Sequence, residues 1–301
     1  MTKDLLKKLT EITDSTKVLE NELMSKHTTF RVGGPCDIFV SISNAKEAEE
    51  IIRLLCSLSI PYFVIGNGSN LLVKDEGFRG VIIEIGKDFS DIQIDGEIVT
   101  ASAGALLVKV ANECYKAGLT GLEFASGIPG TIGGGVFMNA GAYGGELKDV
   151  IQTVTLLDTE SGEIIEKTCQ DMDFSYRHSI AKEKPYIILE AKMKLSTGDK
   201  DQIKSRMDEL KEQRTTKQPL EYPSAGSTFK RPEGYFAGKL IQDAGLKGYK
   251  VGGAQVSEKH SGFVINAGDA TASDVLTLIE DVRRIVKEQF GVELEPEVCI
   301  L

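Results

Sequence analysis

The sequence predicts an α+β fold that ends in a smaller C-terminal domain, and three observations support this prediction. Segments with strand and helix patterns follow one another without the regular alternation of a doubly wound parallel sheet. Two glycine-rich loops, at 64–73 and 126–145, lack both the GxGxxG and the GK[ST] arrangements of ordinary nucleotide folds. The length of 301 residues is enough for two or three compact units.

Capping and turn residues bound the elements predicted before the second glycine loop. Asn44 and Glu47 fit an N-cap and a capping box, and Asp95 with Gly96 fits a hairpin turn. Gly118 is placed to end a helix as its C-cap. The predicted elements are an amphipathic N-terminal helix, a helix over 45–58, strands over 62–65, 81–85, 91–95 and 97–103, and a helix over 106–117.

Turn residues and prolines divide the rest of the chain. Ser161 and Gly162 mark a turn, and Pro219 and Pro223 are typical of a linker that follows a charged surface helix. Gly291 is placed to stop the last helix. The predicted elements are strands over 154–158, 163–167 and 186–195, helices over 199–219, 236–245 and 274–290, and strands over 262–267 and 292–298. We expect the main domain boundary near residue 200.

The composition indicates a globular, cytoplasmic protein that does not bind nucleic acid. Thirty-five basic and forty-five acidic residues give a net charge of −10, which opposes non-specific attraction to nucleic acid. No apolar run approaches the roughly 18 residues of a membrane span, and the N-terminal segment has no signal-peptide pattern. An anionic ligand would therefore need a local concentration of cations.

Cysteine and histidine give little sign of metal or disulfide chemistry. The five cysteines are scattered without CxxC spacing, and we expect them to be small core residues. The three histidines lie far apart in the sequence, which disfavours a metal site.

The two glycine loops together favour a long ligand. Successive small residues let backbone N–H groups converge on a phosphate, because no Cβ blocks close approach. The second loop has eight glycines among twenty residues, interleaved with Asn139 and Tyr143, which suits a flat and partly polar ring. For either loop alone, a run of tight turns between strands remains an equal alternative.

Three polar segments are candidates for chemistry. In the segment 171–179, Arg177 could clamp a carboxylate, although a solvated arginine is an equal alternative. In the segment 222–232, Ser227 follows glycine and precedes Lys230 and Arg231, which suggests an exposed hydroxyl near two cations. The alternative is a turn in which the serine hydroxyl bonds to the nearby backbone. Glu297 lies in the segment 294–298, which could also be a solvated edge strand. No GxSxG elbow surrounds Ser227, which disfavours a hydrolase triad.

These segments occur in an order that resembles one bacterial family. HTTFRVGGPCD, VIGNGSNLLV, SGIPGTIGGGVFMNAGAYGGE, FSYRHS, PSAGSTFKRP, AGKLIQDAGLKG and LEPEV are similar, in this order, to motifs of the UDP-N-acetylenolpyruvoylglucosamine reductases. The resemblance covers nearly the whole chain. It points to the subclass without the tyrosine-loop insertion, since little sequence separates AGKLIQDAG from GFVINA.

The resemblance implies a flavoenzyme of peptidoglycan precursor synthesis, and through it a role in cell-wall formation, cell shape and cell division. It implies two FAD-binding subdomains of the vanillyl-alcohol-oxidase type, at 1–80 and 81–200, and a substrate-binding domain at 201–301 whose last strand returns to the active site. NADPH would reduce FAD, and the reduced flavin would deliver hydride to the enolpyruvyl group. The GNGSN loop has no histidine, so noncovalent FAD is expected. A monomer is favoured.

The resemblance also assigns residues to roles. The catalytic set would be Arg177, Ser227 and Glu297. The cofactor-binding residues would be Gly66, Asn67, Gly68, Ser69 and Asn70 at the pyrophosphate, and Ser126, Gly127, Pro129, Gly130, Gly134 and Asn139 at the flavin. Contacts to the UDP sugar would come from Tyr176, Lys230 and Arg231, and no metal is expected.

The expected roles fit the chemistry of hydride addition to an ionised enolpyruvyl ether. Arg177 would stabilise the developing negative charge, a protonated Glu297 would share this by hydrogen bonding, and Ser227 would protonate the carbanion-like carbon. Three other hypotheses are an oxidase or dehydrogenase of the same superfamily, a silent nucleotide-binding module, and a purely structural protein. An oxidase or dehydrogenase would have no need of the three polar segments together. A purely structural protein would leave the two glycine loops unexplained.

Overall fold

The computed structural model describes residues 2–301, which form two compact units. Unit 1 comprises the described residues up to Glu20, Ile38–Asn67 and Gly80–Glu212, and unit 2 comprises Asn21–Asp37, Gly68–Arg79 and Gln213–Leu301. The mixture of helices and strands confirms the α+β fold. The expected division at residues 80 and 200 remains a prediction. No helix within the described residues has the length and apolar character needed to span a membrane.

The helices and strands are as follows. The α-helices are α1 (Thr2–Ile12), α2 (Ala45–Ser57), α3 (Leu107–Ala117), α4 (Ile132–Phe137), α5 (Lys200–Lys217), α6 (Ala237–Asp243) and α7 (Ala272–Phe290). The strands are β1 (Val18–Leu23), β2 (Pro35–Ile42), β3 (Tyr62–Ile65), β4 (Leu71–Leu72), β5 (Phe78–Ile85), β6 (Ile92–Asp95), β7 (Ile98–Ser102), β8 (Leu119–Thr120), β9 (Gly141–Ala142), β10 (Gly145–Glu146), β11 (Ile151–Asp158), β12 (Ile164–Thr168), β13 (Tyr186–Lys194), β14 (Ser196–Thr197), β15 (Lys250–Val251), β16 (Ala254–Val256), β17 (Val264–Asn266) and β18 (Cys299–Ile300).

Unit 1 is built around an antiparallel sheet of order β12-β11-β13-β7-β6. In addition, β3 and β5 pair in parallel, within a four-stranded sheet of order β1-β2-β5-β3. One side of α3 is buried through Leu107, Val110, Ala111 and Cys114, the i, i+3, i+4 and i+7 spacing of an amphipathic helix. These residues belong to one continuous apolar core.

Unit 2 has its own apolar core around α7 and the sheet of order β15-β16-β17. The sequence sets both ends of α7. Thr271 forms a capping box with Asp274 at the start, and Gly291 ends the helix in the left-handed conformation at φ 69°. Strand β18 pairs in parallel with β4, and the backbone N–H of Cys299 donates to the carbonyl of Asn70 at 3.0 Å.

Most predicted elements are confirmed, but local details differ. Asn44 caps α2 as predicted, whereas the Glu47 carboxylate accepts from the backbone N–H of Ser43 at 2.8 Å. The hairpin turn lies one residue later than predicted, because Asp95 still pairs with Ile98.

The strand predicted over 292–298 is wrong. Pro296 lacks a backbone N–H, and it makes only an isolated bridge with Phe229. The short strand β18 begins after this segment, at Cys299.

The prediction that all five cysteines are core residues is correct for two of them. Cys36 and Cys114 are buried, and burial raises the pKa of their thiols to about 11 and about 12, respectively. Cys56 and Cys299 are exposed. Cys56 follows Leu55, the last residue of the buried stripe of α2, and therefore points away from the core.

His260 links the stability of unit 2 to pH. Its Nδ1 accepts from the backbone N–H of Gly262 at 3.1 Å, its ring meets Phe263 edge-on, and burial lowers the pKa of its imidazole. The unfolded chain therefore binds the proton more readily than the folded chain. The stability that neutral His260 contributes is present above its ordinary pKa of about 6.5 and is lost as the pH falls through the folded-state pKa.

We therefore expect the free energy of unfolding to fall less steeply between pH 7 and pH 5 in His260→Asn than in the unsubstituted protein. Urea titrations at several pH values measure this slope. The same slope in both proteins would contradict the assignment.

Candidate active site

Residues 66 and 67 of the first glycine loop (64–73) make close contact with the start of the second loop. A Cβ built on Gly66 would lie 2.3 Å from Thr131 Oγ1, so a side chain there would have to displace Thr131. Asn67 Nδ2 donates to the carbonyl oxygen of Pro129 at 2.5 Å. Residues 66 and 67 of the first loop thus lie against residues 129 and 131 of the second, all within unit 1.

The backbone of the first loop has the form of an anion cradle. Within residues 2–301, the backbone N–H groups of Asn67, Gly68 and Ser69 donate to no other protein group. Gly68 is buried in the left-handed conformation at φ 57°, and a Cβ there would lie 1.9 Å from the His27 carbonyl oxygen. Successive N–H groups without a protein acceptor, at a position where no Cβ blocks close approach, fit a negatively charged ligand. The residues present therefore fit the pyrophosphate of FAD.

The second loop divides its glycines between packing and open surface. Cβ atoms on Gly133 and Gly135 would crowd Ala103 and Leu147, respectively, so these two glycines serve packing. Gly134 is exposed, and its nearest neighbour would be Thr131 Oγ1 at 3.7 Å. Four more of the residues predicted to line the flavin are exposed or half-buried: Ser126, Gly127, Pro129 and Gly130. Their contact with FAD remains a prediction.

Arg177 occupies a turn position that arginine rarely takes. Ser175 and His178 exchange two backbone hydrogen bonds, each of 3.2 Å, which makes Arg177 the third residue of a tight turn. Its φ of 55° is in the left-handed region, where such turns favour glycine or asparagine. Backbone strain held in place by surrounding structure is typical of functional positions.

The guanidinium of Arg177 is held by its neighbours in unit 1. Nη2 donates to the carbonyl oxygen of Gly141 at 3.3 Å, and the group lies 5.0 Å from the centre of the Tyr176 ring. Tyr176 is 48 % exposed, which leaves part of it available for the predicted substrate contact.

Asn139, predicted to bind the cofactor, has a buried side chain. Both hydrogens of its amide are used, by the Glu146 carboxylate at 2.9 Å and the Ser175 carbonyl at 3.0 Å. Its Oδ1 accepts from the backbone N–H of Lys148 at 3.0 Å. A cofactor contact of Asn139 remains a prediction, and it would depend on the backbone.

Ser227 and Glu297 lie on two segments of unit 2 that pair with each other. The backbone N–H of Glu297 donates to the carbonyl of Thr228 at 2.8 Å, next to the bridge between Phe229 and Pro296. The Thr228 hydroxyl in turn accepts from the Val264 N–H at 2.8 Å. Ser227 itself is exposed, as predicted for a serine after glycine.

The two cations after Ser227 differ in their surroundings. Lys230 Nζ forms an ion pair with Glu295, so an anionic ligand would have to compete with this carboxylate. The Arg231 guanidinium lies 4.0 Å from the centre of the Phe236 ring, and its Nε donates to the Tyr235 carbonyl at 3.3 Å. An arginine that stacks on an aromatic ring can also bind a phosphate through its edge.

Sequence reasoning missed Glu146. Its carboxylate faces Asn139 and Lys148, and it is close enough to Arg177 for the positive charge to affect its pKa. The sequence marks Glu146 only as the residue after the last glycine of the loop. Within residues 2–301, no cluster of three or more His, Cys, Asp or Glu side chains is arranged to hold a metal ion.

Comparison with known sequences gives matches along the whole chain. Residues 36–168 match an FAD binding domain, and residues 218–301 match the C-terminal domain of UDP-N-acetylenolpyruvoylglucosamine reductase. The chain is 54 % identical to the UDP-N-acetylenolpyruvoylglucosamine reductase of Agathobacter rectalis, over 100 % of this chain and 99 % of the relative. It is 50 % identical to the enzyme of the same name from Clostridioides difficile, over 99 % and 98 %.

Comparison with solved structures agrees. The structure of UDP-N-acetylenolpyruvylglucosamine reductase from Thermus caldophilus matches with a TM-score of 0.81 and 36 % identity, covering 93 % of this chain and 97 % of that one. An alkyldihydroxyacetonephosphate synthase matches with a TM-score of 0.50 and 17 % identity, covering 65 % of this chain and 40 % of that one, which shows likeness of fold alone.

The strained backbone at Arg177 gives a prediction on stability. Arg177→Gly should leave the free energy of unfolding unchanged or raise it by up to about 1 kcal/mol, because relief of a left-handed conformation offsets the lost contacts. Urea unfolding measures this. Ser59→Gly is the matched control, since Ser59 has φ 51° in a surface turn after α2. A loss of stability in Arg177→Gly, with no loss in the control, would show that Arg177 is kept for stability.

Proposed function

Because the chain belongs to the UDP-N-acetylenolpyruvoylglucosamine reductase family, we propose that it reduces the enolpyruvyl group of UDP-N-acetylenolpyruvoylglucosamine, giving UDP-N-acetylmuramate for peptidoglycan synthesis. The 54 % identity over the full length of a relative with this name carries the proposal. The FAD-binding domain makes the chain an FAD-dependent oxidoreductase. NADPH is the proposed reductant. A cytoplasmic location and a monomeric state remain predictions.

Bound FAD supplies hydride transfer between NADPH and the substrate. The backbone N–H groups of Asn67, Gly68 and Ser69 would hold its pyrophosphate, because their donors have no protein acceptor within the described chain. The open surface at Gly134 and the residues before it would lie against the flavin. This arrangement uses main-chain groups for binding, and it supports a noncovalent cofactor.

Arg177 is proposed to stabilise the negative charge that develops on the substrate carboxylate and the adjacent carbon. A guanidinium already held in place needs little rearrangement as the charge appears, which is the condition for effective electrostatic catalysis. The left-handed backbone and the contacts with Gly141 and Tyr176 support this role.

Ser227 is proposed to donate the proton to the carbanion-like carbon, and Glu297 to assist by hydrogen bonding. The exposed hydroxyl of Ser227 and the fixed backbone of Thr228 support a positioned acid. The pairing of Thr228 with Glu297 keeps the two functional side chains on adjacent segments. A hydroxyl is a weak acid, but the carbon it protonates is a far stronger base.

Ser227→Ala tests the proposed function through its two half-reactions. Reduction of the flavin by NADPH needs no proton at the substrate carbon, and its rate should be almost unchanged. Reoxidation by UDP-N-acetylenolpyruvoylglucosamine should slow by about a hundredfold to ten thousandfold, the usual effect of losing a positioned acid.

Stopped-flow absorbance at the flavin band resolves both rates. Equal slowing of the two steps would mean that Ser227 shapes the cofactor site, and no slowing of either would make its hydroxyl a turn residue. Failure of the unsubstituted protein to reoxidise with this substrate would reject the proposed function itself.

Arg231→Ala should raise the KM for the UDP sugar more than it lowers kcat, because a diphosphate contact acts alike on the ground state and the transition state. Steady-state kinetics measure both constants. Lys239→Ala is the matched control: it also removes one positive charge from unit 2, and Lys239 already pairs with Asp243 on α6. An equal change of KM in the two variants would mean that Arg231 acts only through its net charge and makes no direct contact with the diphosphate.

A further inference from the structure

A two-strand hairpin contacts the guanidinium of Arg177 within unit 1. Strands β9 and β10 pair so that Gly141 lies opposite Glu146, and a left-handed Tyr143 at φ 53° lies in the turn between the strands. The carbonyl oxygen of Gly141 accepts a hydrogen bond from Arg177 at 3.3 Å. The carboxylate of Glu146 lies close enough to the Arg177 guanidinium for its positive charge to affect the pKa of Glu146.

The carboxylate of Glu146 is held in one place and in one charge state. It forms an ion pair of 2.8 Å with Lys148 and accepts from Asn139 at 2.9 Å. The hydrogen bond from Lys148 is the main cause that lowers the pKa of Glu146; burial opposes it, and Asn139 and the Arg177 charge add to the lowering. Glu146 therefore remains an anion at neutral pH.

Asn139 joins this carboxylate to the turn that carries Arg177. Its amide donates to Glu146 and also to the carbonyl of Ser175, the first residue of that turn, at 3.0 Å. Asn139 is 0 % exposed and has a φ of 43°. On the other side of the turn, the buried Ser179 hydroxyl donates to the Phe137 carbonyl at 2.8 Å. The turn is thus tied to the second glycine loop at both ends.

We propose that Asn139 and Glu146 are positioning residues for Arg177. Asn139 holds the turn in the strained conformation, and Glu146 holds the guanidinium against the hairpin by charge. Neither residue touches the substrate in this proposal. The proposal rests on the proposed function, since it requires that Arg177 bind the substrate carboxylate. It also gives Asn139 a role other than the predicted contact with the cofactor.

The alternative is that this network only maintains the local fold. Glu146 also takes part in a capping box with Asp149, which is sufficient reason for a carboxylate at this position. Coupling to Arg177 separates the two hypotheses. A positioning residue loses its effect when Arg177 is already impaired, whereas a merely structural residue keeps it.

The test is a double-substitution cycle on the flavin-loaded protein with Glu146→Gln and Arg177→Lys, alone and together. Glutamine has nearly the same shape and keeps an acceptor for Asn139, so only the charge is removed. Two quantities are measured: the Kd of UDP-N-acetylenolpyruvoylglucosamine for the oxidised protein without NADPH, by calorimetry, and the rate of flavin reoxidation. Glu166→Gln is the control, because Glu166 accepts from the Thr153 hydroxyl at 3.0 Å on the exposed β12.

Glu146→Gln should raise the Kd and slow reoxidation by about tenfold each, and in the Arg177→Lys background it should change either by less than about twofold. Glu166→Gln should change neither. Asn139→Gly, which keeps the left-handed backbone accessible, should behave like Glu146→Gln. If this variant fails to fold, the cycle with Glu146 still decides.

Equal effects of Glu146→Gln in both backgrounds would overturn the proposal, and so would the absence of any effect in the unsubstituted background. A normal Kd and a normal rate in Arg177→Lys would instead contradict the proposed role of Arg177. The two failures are therefore distinguishable.

Discussion

The close approach of backbone to side chain at Gly66 is the constraint on which the proposed cofactor site depends. With a Cβ only 2.3 Å from Thr131 Oγ1, any residue other than glycine would have to displace the Thr131 side chain or separate residue 66 from the second loop. The hydrogen bond from Asn67 to Pro129 would be lost with this separation. One missing side chain thus allows residues 66 and 67 to lie against residues 129 and 131 within unit 1.

A second constraint is the strained backbone around Arg177, which holds the Arg177 side chain in place. Asn139, Tyr143 and Arg177 all have left-handed backbones, and each is linked to the hairpin of β9 and β10. Such conformations cost roughly 1–3 kcal/mol each, so surrounding contacts must hold them. The buried amide of Asn139 makes three such contacts, and the glycines of the hairpin allow its strands to meet.

Sequence patterns predicted the elements whose ends have strong local signals. Gly291 ends α7 and Gly118 ends α3, because left-handed glycines act through neighbouring residues alone. The predicted start of α7, at residue 274, missed the capping box of Thr271. The prediction of a strand over 292–298 was wrong. Alternation of side chains does not reveal that Pro296 forms only an isolated bridge with Phe229 and no continuous strand pairing.

The residues of the candidate site were named from family motifs, and their surroundings were beyond reach of the sequence. The composition of the second loop suggested a ring-binding surface, whereas Gly133, Gly135 and Gly141 lie against protein atoms. Glu146 and Asn139 act through contacts with residues that lie seven to thirty-six positions away. A left-handed arginine is disfavoured by local preference, so no pattern predicts it.

The pairing of β18 with β4 bears on how the protein is made. The amide of Asn70 donates to the carbonyl of Glu297, 227 residues later in the chain, at 3.0 Å. During synthesis, residues leave the ribosome in order at about 5–20 per second, so the early segment waits on the order of ten seconds or more for its partner. Contacts of such long range also slow folding, because the intervening chain must be ordered first. The nascent protein therefore cannot complete the end of its first glycine loop until residue 297 has been synthesised.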